Sequence, residues 1–394
     1  MARVVVCGYM IRHPVAGNLL AFFQHVLGLA RLGHEVAYIE ESGWPYSSYD
    51  PSTRQWLDHP ETGLRIVRDL LAMHGMSAPV LFVNRDTGRI DGADLEELKG
   101  ILRSADLLLN IGGVCWLPEF QLCRRRAMID MDPLFTQAGK FGADVLSQFH
   151  LHFSYGTNIG RPGCTIPTAG VEWLPTVPPV VMELWRNDDP GEGAPFTTIC
   201  NWGAYGGITC NGEHFGQKDE EFLRLLTLPG RTSQRLELAI SGASEEVRAT
   251  LRRAGWLVRD AGEEISTDLA TYQSYITQSR GEFSVAKNAY VKTRSGWFSD
   301  RSVCYLAAGK PAVLQDTGFT DWLPADRGLL AFTTEAEAAE RLERVQADYA
   351  LHRDAARSLA AEYFSHEIVL PRLLDAALGK TSAFATPLPA GSET

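Results

Sequence analysis

The chain has 394 residues, of which 45% are hydrophobic and 22% are charged, and its formal net charge is −11. This length suffices for two ordinary domains, each with its own core, and excludes a small disulfide-stapled scaffold. The acidic balance argues against a nucleic-acid partner, because phosphate backbones are bound through clustered lysine and arginine side chains.

The cysteines and the apolar runs indicate the cellular compartment in which the protein is expected. Seven cysteines are scattered along the chain, without a C-x-x-C pair or a zinc-ligand spacing. An odd, dispersed set of thiols is typical of a reducing compartment. Residues 1–8 form a strand-like run without the features of a signal peptide, and no stretch reaches the roughly 18 apolar residues of a membrane span. We therefore expect a cytoplasmic protein without a transmembrane segment, and leave a homodimer open.

In the first half of the chain, short apolar runs alternate with helical periods, which is typical of a parallel α/β sheet. A strand at 3–7 precedes a helix at about 18–32, which Gly33 ends, and a strand follows at 36–39. Later strands are predicted at 80–83, 106–111, 127–130 and 150–155.

The second half repeats this alternation from a strand at 196–201 onwards. Between the halves lie prolines at positions 175, 178 and 179, which exclude a helix or a central strand and predict a crossover between two domains. Further elements are predicted as a strand at 236–241, helices at 219–226 and 245–254, and a long helical stretch at about 335–378.

The segment 280–319 carries most of the functional information. It is predicted to form a strand at 282–286, a loop rich in glycine, serine and basic residues, a helix that begins near Ser299, and a strand at 312–315. Because a helix N-terminus has unpaired N–H groups and a partial positive charge, a diphosphate can bind there without a metal. Ser299 suits the N-cap, and Gly296 permits a close approach of the backbone.

An acidic turn, Asp316-Thr317-Gly318, follows the strand at 312–315. Its position at the carboxyl end of that strand allows Asp316 to accept hydrogen bonds from sugar hydroxyls. The segment as a whole therefore predicts a site for a sugar linked to a diphosphate.

Three strings in the chain resemble GT-B glycosyltransferases, which use nucleotide sugars. The GWFS string at 296–299 is similar to their G-W-x-S loop, and LAAGKPAV at 306–313 is similar to the helix end and strand of their donor-binding half. LARLGHEVAYIEESG at 29–43 resembles the first helix and second strand of their acceptor-binding half. The resemblance implies an α/β protein with two Rossmann-like domains that face each other across a cleft.

The resemblance also implies a domain division. We expect an acceptor-binding domain over 1–180 and a donor-binding domain over 181–365. The end of the last helix, at 366–380, would pack back on the first domain as in the related enzymes. Residues 381–394 are rich in Ala, Pro, Ser and Gly without an apolar period, and are predicted to be disordered.

The chain departs from the family at two positions. Gly296 and Cys304 stand where many retaining members carry two glutamates, one of which holds the donor ribose. The absence of this pair favours an inverting mechanism over a retaining one.

Three residues are candidates for the base that removes the acceptor proton. His13 follows the first strand, where inverting GT-B enzymes place a histidine, and an imidazole has a suitable pKa. Glu41 and Asp132 lie at predicted strand ends and could also face the cleft. Each of the three could instead be an ordinary loop, cap or turn residue without a catalytic role.

The remaining candidates concern binding. Lys218 stands where related enzymes place a basic side chain that neutralises the donor diphosphate, and it also reads as a solvated residue at a helix start. Trp44 and Tyr46 could stack on an apolar acceptor or belong to the core. The donor side is completed by the loop and first helical turn, namely Gly296, Trp297, Ser299, Asp300, Arg301 and Ser302, together with Asp316, Thr317 and Gly318.

The sequence thus predicts a glycosyltransferase that moves a sugar from a nucleoside-diphosphate sugar to a small-molecule acceptor such as a natural product. It would need no metal and no cofactor beyond its nucleotide-sugar co-substrate, and no nucleic acid would be a partner. A GT-B-shaped nucleotide-sugar epimerase and a non-catalytic nucleotide-sugar-binding protein are the alternatives. A nicotinamide oxidoreductase is disfavoured, because no G-x-G-x-x-G motif follows the first strand.

Overall fold

The computed structural model describes residues 1–140 and 143–379, in which strands and helices alternate along both halves of the chain. The strands are β1 (Arg3–Cys7), β2 (Glu35–Ser42), β3 (Ser48–Asp50), β4 (Gln55–Leu57), β5 (Val80–Asn84), β6 (Ile90–Asp91), β7 (Leu107–Ile111), β8 (Arg126–Asp130), β9 (Leu151–Ser154), β10 (Trp173–Pro175), β11 (Phe196–Asn201), β12 (Ile208–Cys210), β13 (Glu213–Phe215), β14 (Leu236–Ser241), β15 (Leu257–Asp260), β16 (Gly281–Ser284), β17 (Ala312–Gln315) and β18 (Leu329–Phe332).

The helices connect these strands. They are α1 (Ala16–Arg31), α2 (Glu61–Met73), α3 (Leu95–Ser104), α4 (Ala143–Leu146), α5 (Lys218–Arg224), α6 (Glu245–Arg253), α7 (Leu269–Gln278), α8 (Asn288–Lys292), α9 (Asp300–Ala307), α10 (Glu335–Ala347), α11 (Tyr349–Leu359) and α12 (His366–Leu378). Among the described helices, none combines the length and apolar character that crossing a membrane requires.

Two sheets organise the molecule. The first has the strand order β10-β9-β8-β7-β1-β2-β5-β6, and the second has the order β15-β14-β11-β16-β17-β18. All neighbouring strands in these sheets are parallel except β5 and β6. This architecture confirms the predicted α/β class, and it gathers the loops that follow the strands at the carboxyl edge of each sheet, where ligands bind in such folds.

The predicted strands at 3–7, 196–201, 236–241 and 312–315 have the observed bounds. Two antiparallel hairpins, β3–β4 and β12–β13, were not predicted, because their short strands lack an apolar alternation. The predicted long helical stretch is divided into α10, α11 and α12, and the Asp348 side chain caps α11 at the first break.

The chain passes between the two sheets at one place. Val180 and Ser365 form an isolated parallel bridge. Beyond it, α12 packs against α1, so that Leu370 and Leu373 join the core of the first sheet. The predicted disordered tail, 381–394, and residue 380 lie outside the described residues.

The two domains also share a core. Phe135 and Ile159 of the first domain belong to the same buried cluster as Phe215 and Tyr290 of the second. Hairpin β12–β13 and α8 therefore rest on the loops that follow β8 and β9, and this contact sets the geometry of the cleft.

Candidate active site in the interdomain cleft

A small cavity lies at the carboxyl edge of the second sheet, beside the N-terminus of α9. The Ser299 side chain is the N-cap and accepts a hydrogen bond from the Arg301 N–H at 3.2 Å. The buried hydroxyl of Ser302 has no hydrogen-bond partner among the described residues. The lining residues come from the ends of β16 and β17 and from the α9 region: Ser284, Val285, Ala286, Trp297, Phe298, Ser299, Arg301, Ser302, Leu314, Gln315, Thr317 and Phe319.

Arg301 is fixed at the wall of this cavity. Its guanidinium donates to Glu282 Oε1 at 2.7 Å and to the Ile199 carbonyl at 2.8 Å. A third hydrogen bond goes to Ser284 Oγ at 2.9 Å. Glu282 is fully buried, and its second oxygen, Oε2, has no hydrogen-bond partner in the part of the chain that the structure describes. The arginine therefore balances a buried carboxylate and adds positive charge beside the cavity.

Lys218, the first residue of α5, lies close to Arg301. Its side chain is buried, yet among the described residues its ammonium makes no hydrogen bond or ion pair within contact distance. Burial, followed by repulsion from Arg301, lowers the pKa of Lys218 to about 7. Such a cation gains stability when an anion binds next to it.

A buried carboxylate fixes the helix that carries Lys218. Glu221 accepts hydrogen bonds from Asn288 Nδ2 and from Gln315 Nε2, both at 2.7 Å. These contacts join α5 to α8 and to the end of β17. The ammonium is thus placed by a rigid framework, as a preorganised charge site requires.

Gly296 lies where the second domain touches the first. It has a φ of 73°, and a Cβ at this position would collide with Thr157 Oγ1 and lie 2.8 Å from Asn158 Cγ. The close approach that Gly296 permits in this structure is therefore to the first domain. Asn158 Nδ2 also donates to the Gly318 carbonyl at 3.0 Å, which links the same loop to the turn after β17.

The other donor candidates surround this contact. Trp297 Nε1 donates to the Met131 carbonyl at 3.2 Å, and Thr317 Oγ1 donates to the Trp297 carbonyl at 2.6 Å. Asp316 caps its own turn, accepting from the Gly318 N–H at 2.8 Å and from Thr320 Oγ1 at 2.9 Å.

Asp300 opens α9 and is partly exposed. Its charge reaches across the cleft, since burial and then the Asp300 carboxylate raise the pKa of Tyr155, which follows β9 in the first domain. The first turn of α9 thus faces the first domain.

His13 lies on the loop after β1, inside a group of aromatic rings. Its ring stacks on Tyr9 at 5.8 Å and on Trp56 at 5.7 Å, measured between ring centroids. Burial and then the neighbouring Arg12 charge lower the pKa of His13. The imidazole is therefore neutral at pH 7, and among the described residues no side chain hydrogen-bonds to its ring nitrogens.

The carboxylates of Glu41 and Asp132 are both engaged. Glu41 is buried and accepts from Arg85 Nε at 2.6 Å and from the Trp116 N–H at 2.7 Å. Asp132 accepts hydrogen bonds from the second domain, from Lys287 Nζ at 2.8 Å and from two tyrosine hydroxyls. No hydrogen bond or ion pair joins Glu41, Asp132 and His13 to one another.

Three aromatic side chains are exposed near the His13 loop. Trp44 is 50% exposed, Tyr46 65% and Trp56 46%. The Arg12 guanidinium lies 4.8 Å from the Trp44 ring centroid and 4.4 Å from that of Tyr9. Sequence reasoning missed Trp56, because its position beside His13 depends on the unpredicted hairpin β3–β4.

Comparison with known proteins identifies the fold. No family model and no curated protein sequence matches the chain. Among solved structures, an alpha-glucosyltransferase (AGT) in complex with UDP has a TM-score of 0.59 at 9% identity, with 96% of this chain and 100% of that one covered. AviGT4, a glycosyltransferase involved in avilamycin A biosynthesis, has a TM-score of 0.55 at 13% identity, with coverages of 97% and 99%. Alr3699/HepE of Anabaena, in complex with UDP and glucose, has a TM-score of 0.56 at 11% identity, with coverages of 97% and 100%.

One prediction from charge is wrong. An alpha-glucosyltransferase in complex with UDP-glucose and DNA containing an abasic site matches this chain with a TM-score of 0.58 at 10% identity, with 95% of this chain and 99% of that one covered. A protein of this fold is therefore found in complex with DNA. Net charge alone does not exclude a nucleic-acid partner, because a local basic patch can bind phosphates whatever the overall charge. Together with the two parallel sheets and the cleft between them, these full-length similarities show that the chain has the GT-B fold of nucleotide-sugar glycosyltransferases.

Proposed function

We propose that the protein is a glycosyltransferase that moves a sugar from a nucleoside-diphosphate sugar to an acceptor held by the first domain. The observation that carries this proposal is Lys218, whose largely buried side chain lies beside the Arg301 guanidinium and whose ammonium has no hydrogen-bonded partner in the described part of the chain. A diphosphate bound there would neutralise both cations and meet the N-terminal end of α9, which carries a partial positive charge. The solved structures that contain UDP support the same class of donor.

Departure of the nucleoside diphosphate is the step that these residues would assist. As the bond from the anomeric carbon to the diphosphate breaks, negative charge develops on the diphosphate. Lys218, Arg301 and the α9 N-terminus would stabilise that charge, and their fixed positions make this effective. Among the described residues, no group of three or more His, Cys, Asp or Glu side chains could hold a metal ion. Because Lys218, Arg301 and the α9 N-terminus supply positive charge at the diphosphate, we propose that the reaction needs no metal cation and that turnover survives EDTA.

We assign the base to His13. Its ring nitrogens are not hydrogen-bonded by any described side chain, whereas Glu41 and Asp132 already have close partners. A neutral imidazole can take the proton of an acceptor hydroxyl as that oxygen attacks the anomeric carbon.

We propose an inverting mechanism, which the two substituted positions support. Gly296 packs on Thr157, and Cys304 is a buried thiol that donates to the Asp300 carbonyl at 3.2 Å. Neither position offers a carboxylate to the donor. A base in the first domain, opposite the leaving diphosphate, suits a single displacement with inversion.

The acceptor that these residues suit best is a small molecule with a planar or apolar ring, such as a natural product. Support comes from the exposed rings of Trp44, Tyr46 and Trp56 around His13, since aromatic faces bind such rings. AviGT4, with the same fold, is described as involved in the biosynthesis of avilamycin A.

The test begins with the donor. Calorimetry with UDP, GDP, dTDP and their sugars should find one nucleotide that binds the wild-type protein and binds Lys218→Met at least tenfold more weakly. Arg252→Met, which removes an exposed cation from α6, away from the cavity, is the matched control. Equal affinity for wild-type protein and Lys218→Met would contradict the site.

The best donor is then incubated with a library of hydroxylated small molecules and, separately, with duplex DNA carrying a hydroxymethylated base, and products are identified by mass spectrometry. Glycosylation of a small molecule, with inverted configuration at the anomeric carbon, supports the proposal. Glycosylation of the DNA instead would show that the acceptor is a nucleic acid and not a small molecule. Epimerised donor without an acceptor would indicate the epimerase instead. Binding without turnover of any acceptor would contradict the catalytic role.

A further inference from the structure

The backbone of the loop between β1 and α1, which carries His13, is held by one buried acid. Glu40, in β2, is fully buried. Its Oε2 accepts the Ile11 N–H and its Oε1 accepts the Arg12 N–H, each at 2.7 Å. Two successive backbone N–H groups of the loop therefore donate hydrogen bonds to the two oxygens of a single carboxylate.

Tyr38 extends this arrangement by one residue. Its hydroxyl donates to Glu40 Oε2 at 2.7 Å and accepts the Met10 N–H at 2.9 Å. The N–H groups of three consecutive loop residues, 10 to 12, are thus satisfied by side chains of β2. A buried loop cannot leave such groups unpaired without a large loss of stability.

The carbonyl groups of the loop are held by contacts with α1 and α2. Asn18 Nδ2 donates to the His13 carbonyl at 2.7 Å and also to the Tyr9 carbonyl. Gly63 of α2 lies directly under Ile11, where any Cβ would collide with the Ile11 carbonyl oxygen. The backbone conformation of the residues that precede His13 is therefore restricted by contacts with β2, α1 and α2.

We infer that Glu40 is a positioning residue for His13: by accepting the N–H groups of Ile11 and Arg12, it places the imidazole between Tyr9 and Trp56. That this placement serves catalysis rests on the proposed function. That Glu40 places the His13 ring does not. Glu40 acts through the loop and does not touch a substrate.

An uncharged residue would not replace this acid. Glutamine offers one acceptor oxygen, and its NH₂ group would face the second N–H, donor against donor. Retaining the acid is unfavourable in itself, because burial raises the pKa of Glu40 to about 7 even though Arg12 lowers it. The fold thus keeps a costly carboxylate at the position where a double acceptor is needed.

The first experiment measures the placement without any substrate. His13 is stacked on two rings, so ring currents should move its Hε1 proton resonance upfield, and His13→Ala identifies that resonance by its loss. In Glu40→Gln the resonance should shift towards that of an exposed histidine, and the pKa of His13 should rise towards its ordinary value. Glu41→Gln, which alters the adjacent carboxylate but none of these loop N–H bonds, should leave the resonance in place. An unshifted resonance in Glu40→Gln would overturn the inference.

A second variant covers the outcome in which Glu40→Gln fails to fold. Tyr38→Phe removes only the hydroxyl that links Met10 to Glu40, and it should shift the His13 resonance in the same direction by a smaller amount. No shift in a folded Tyr38→Phe, together with an unfolded Glu40→Gln, would mean that Glu40 serves stability and not placement.

Turnover then links the placement to chemistry. Glu40→Gln should lower kcat about 10- to 100-fold while leaving the donor KM within about twofold, and it should shift the acidic limb of the pH profile upward with the His13 pKa. If His13→Ala turns over normally, the proposed base is wrong, whereas the resonance of Glu40→Gln still decides the placement. A normal kcat in Glu40→Gln, together with a displaced His13 resonance, would show that turnover does not depend on the placement of His13 by Glu40.

Discussion

Asp132 of the first domain and Lys287 of the second form an ion pair across the cleft, with 2.8 Å between Oδ1 and Nζ. The ammonium also donates to the Tyr205 hydroxyl at 2.7 Å and lies 4.8 Å from the centroid of Phe135. A cation held against aromatic rings and a carboxylate is stabilised by both, so this pair helps to hold the domains together at one end of the cleft.

A double-mutant cycle should measure this pair. Asp132→Asn and Lys287→Met should each lower the free energy of unfolding, with a coupling energy on the order of 1–3 kcal/mol, because each change leaves the other charge partly buried without its counter-ion. Urea denaturation of both single variants and the double variant provides the measurement. Additive effects would show that the pair contributes nothing of its own.

Lys218→Met should stabilise the ligand-free protein, on the order of 1 kcal/mol at pH 7, because it removes a largely buried cation that has no hydrogen-bonded partner among the described residues. Thermal denaturation without ligand should therefore give a higher Tm, while the nucleotide affinity falls. A lower Tm would mean that Lys218 has a structural role.

Nucleotide-sugar binding should take up a proton above neutral pH. The pKa of Lys218 is about 7 in the free protein, and a bound diphosphate favours the charged ammonium and raises that pKa. Affinity should be level below about pH 7 and fall as the pH rises above it, by up to roughly tenfold per unit. Calorimetry in buffers of different ionisation enthalpy measures the uptake. Lys218→Met should remove the pH dependence, and its persistence would place the titrating group elsewhere.

His13→Ala should lower kcat by a factor on the order of 10² to 10⁴ and leave donor affinity nearly unchanged. Two groups shape the acidic limb of the wild-type rate: Glu40, which holds the loop as a carboxylate and has a pKa of about 7, and His13, whose pKa burial lowers below its ordinary value. The variant should lack the part of this limb that lies below about pH 6.5 in steady-state rates measured across pH. Near-normal kcat would move the base to Asp132 or Glu41.

Arg301→Ala should weaken nucleotide binding about tenfold and also destabilise the fold by roughly 3–5 kcal/mol, because Glu282 is left buried and unpaired. The double variant Glu282→Gln with Arg301→Met should recover much of the stability but not the nucleotide affinity. Recovery of both would show that Arg301 acts only through Glu282.

Local signals sufficed for most of the sheet strands and for the start of α9, whereas β6, β10, β15 and β18 were not predicted. The N-cap at Ser299 and the strand at 312–315 follow from residue types that act within a few positions. Contacts between distant segments could not be predicted. The Glu282 partner of Arg301 depends on how α9 packs on β16, and the first-domain partners of Gly296 depend on how the two domains meet. No spacing in one sequence encodes either contact.

The bridge between Val180 and Ser365 has a topological consequence. The Val180 N–H donates to the Phe364 carbonyl at 2.7 Å, and the His366 N–H donates to the Val180 carbonyl at 2.9 Å, so the exit and the return of the chain lie side by side. The second sheet and its helices are thus inserted into a discontinuous first domain whose last helix comes from the far end of the sequence. A short linker from Val180 to Ser365 could excise the insertion and rejoin the first domain with its closing helix, whereas truncation after Val180 would remove α12 and expose the α1 surface beneath it.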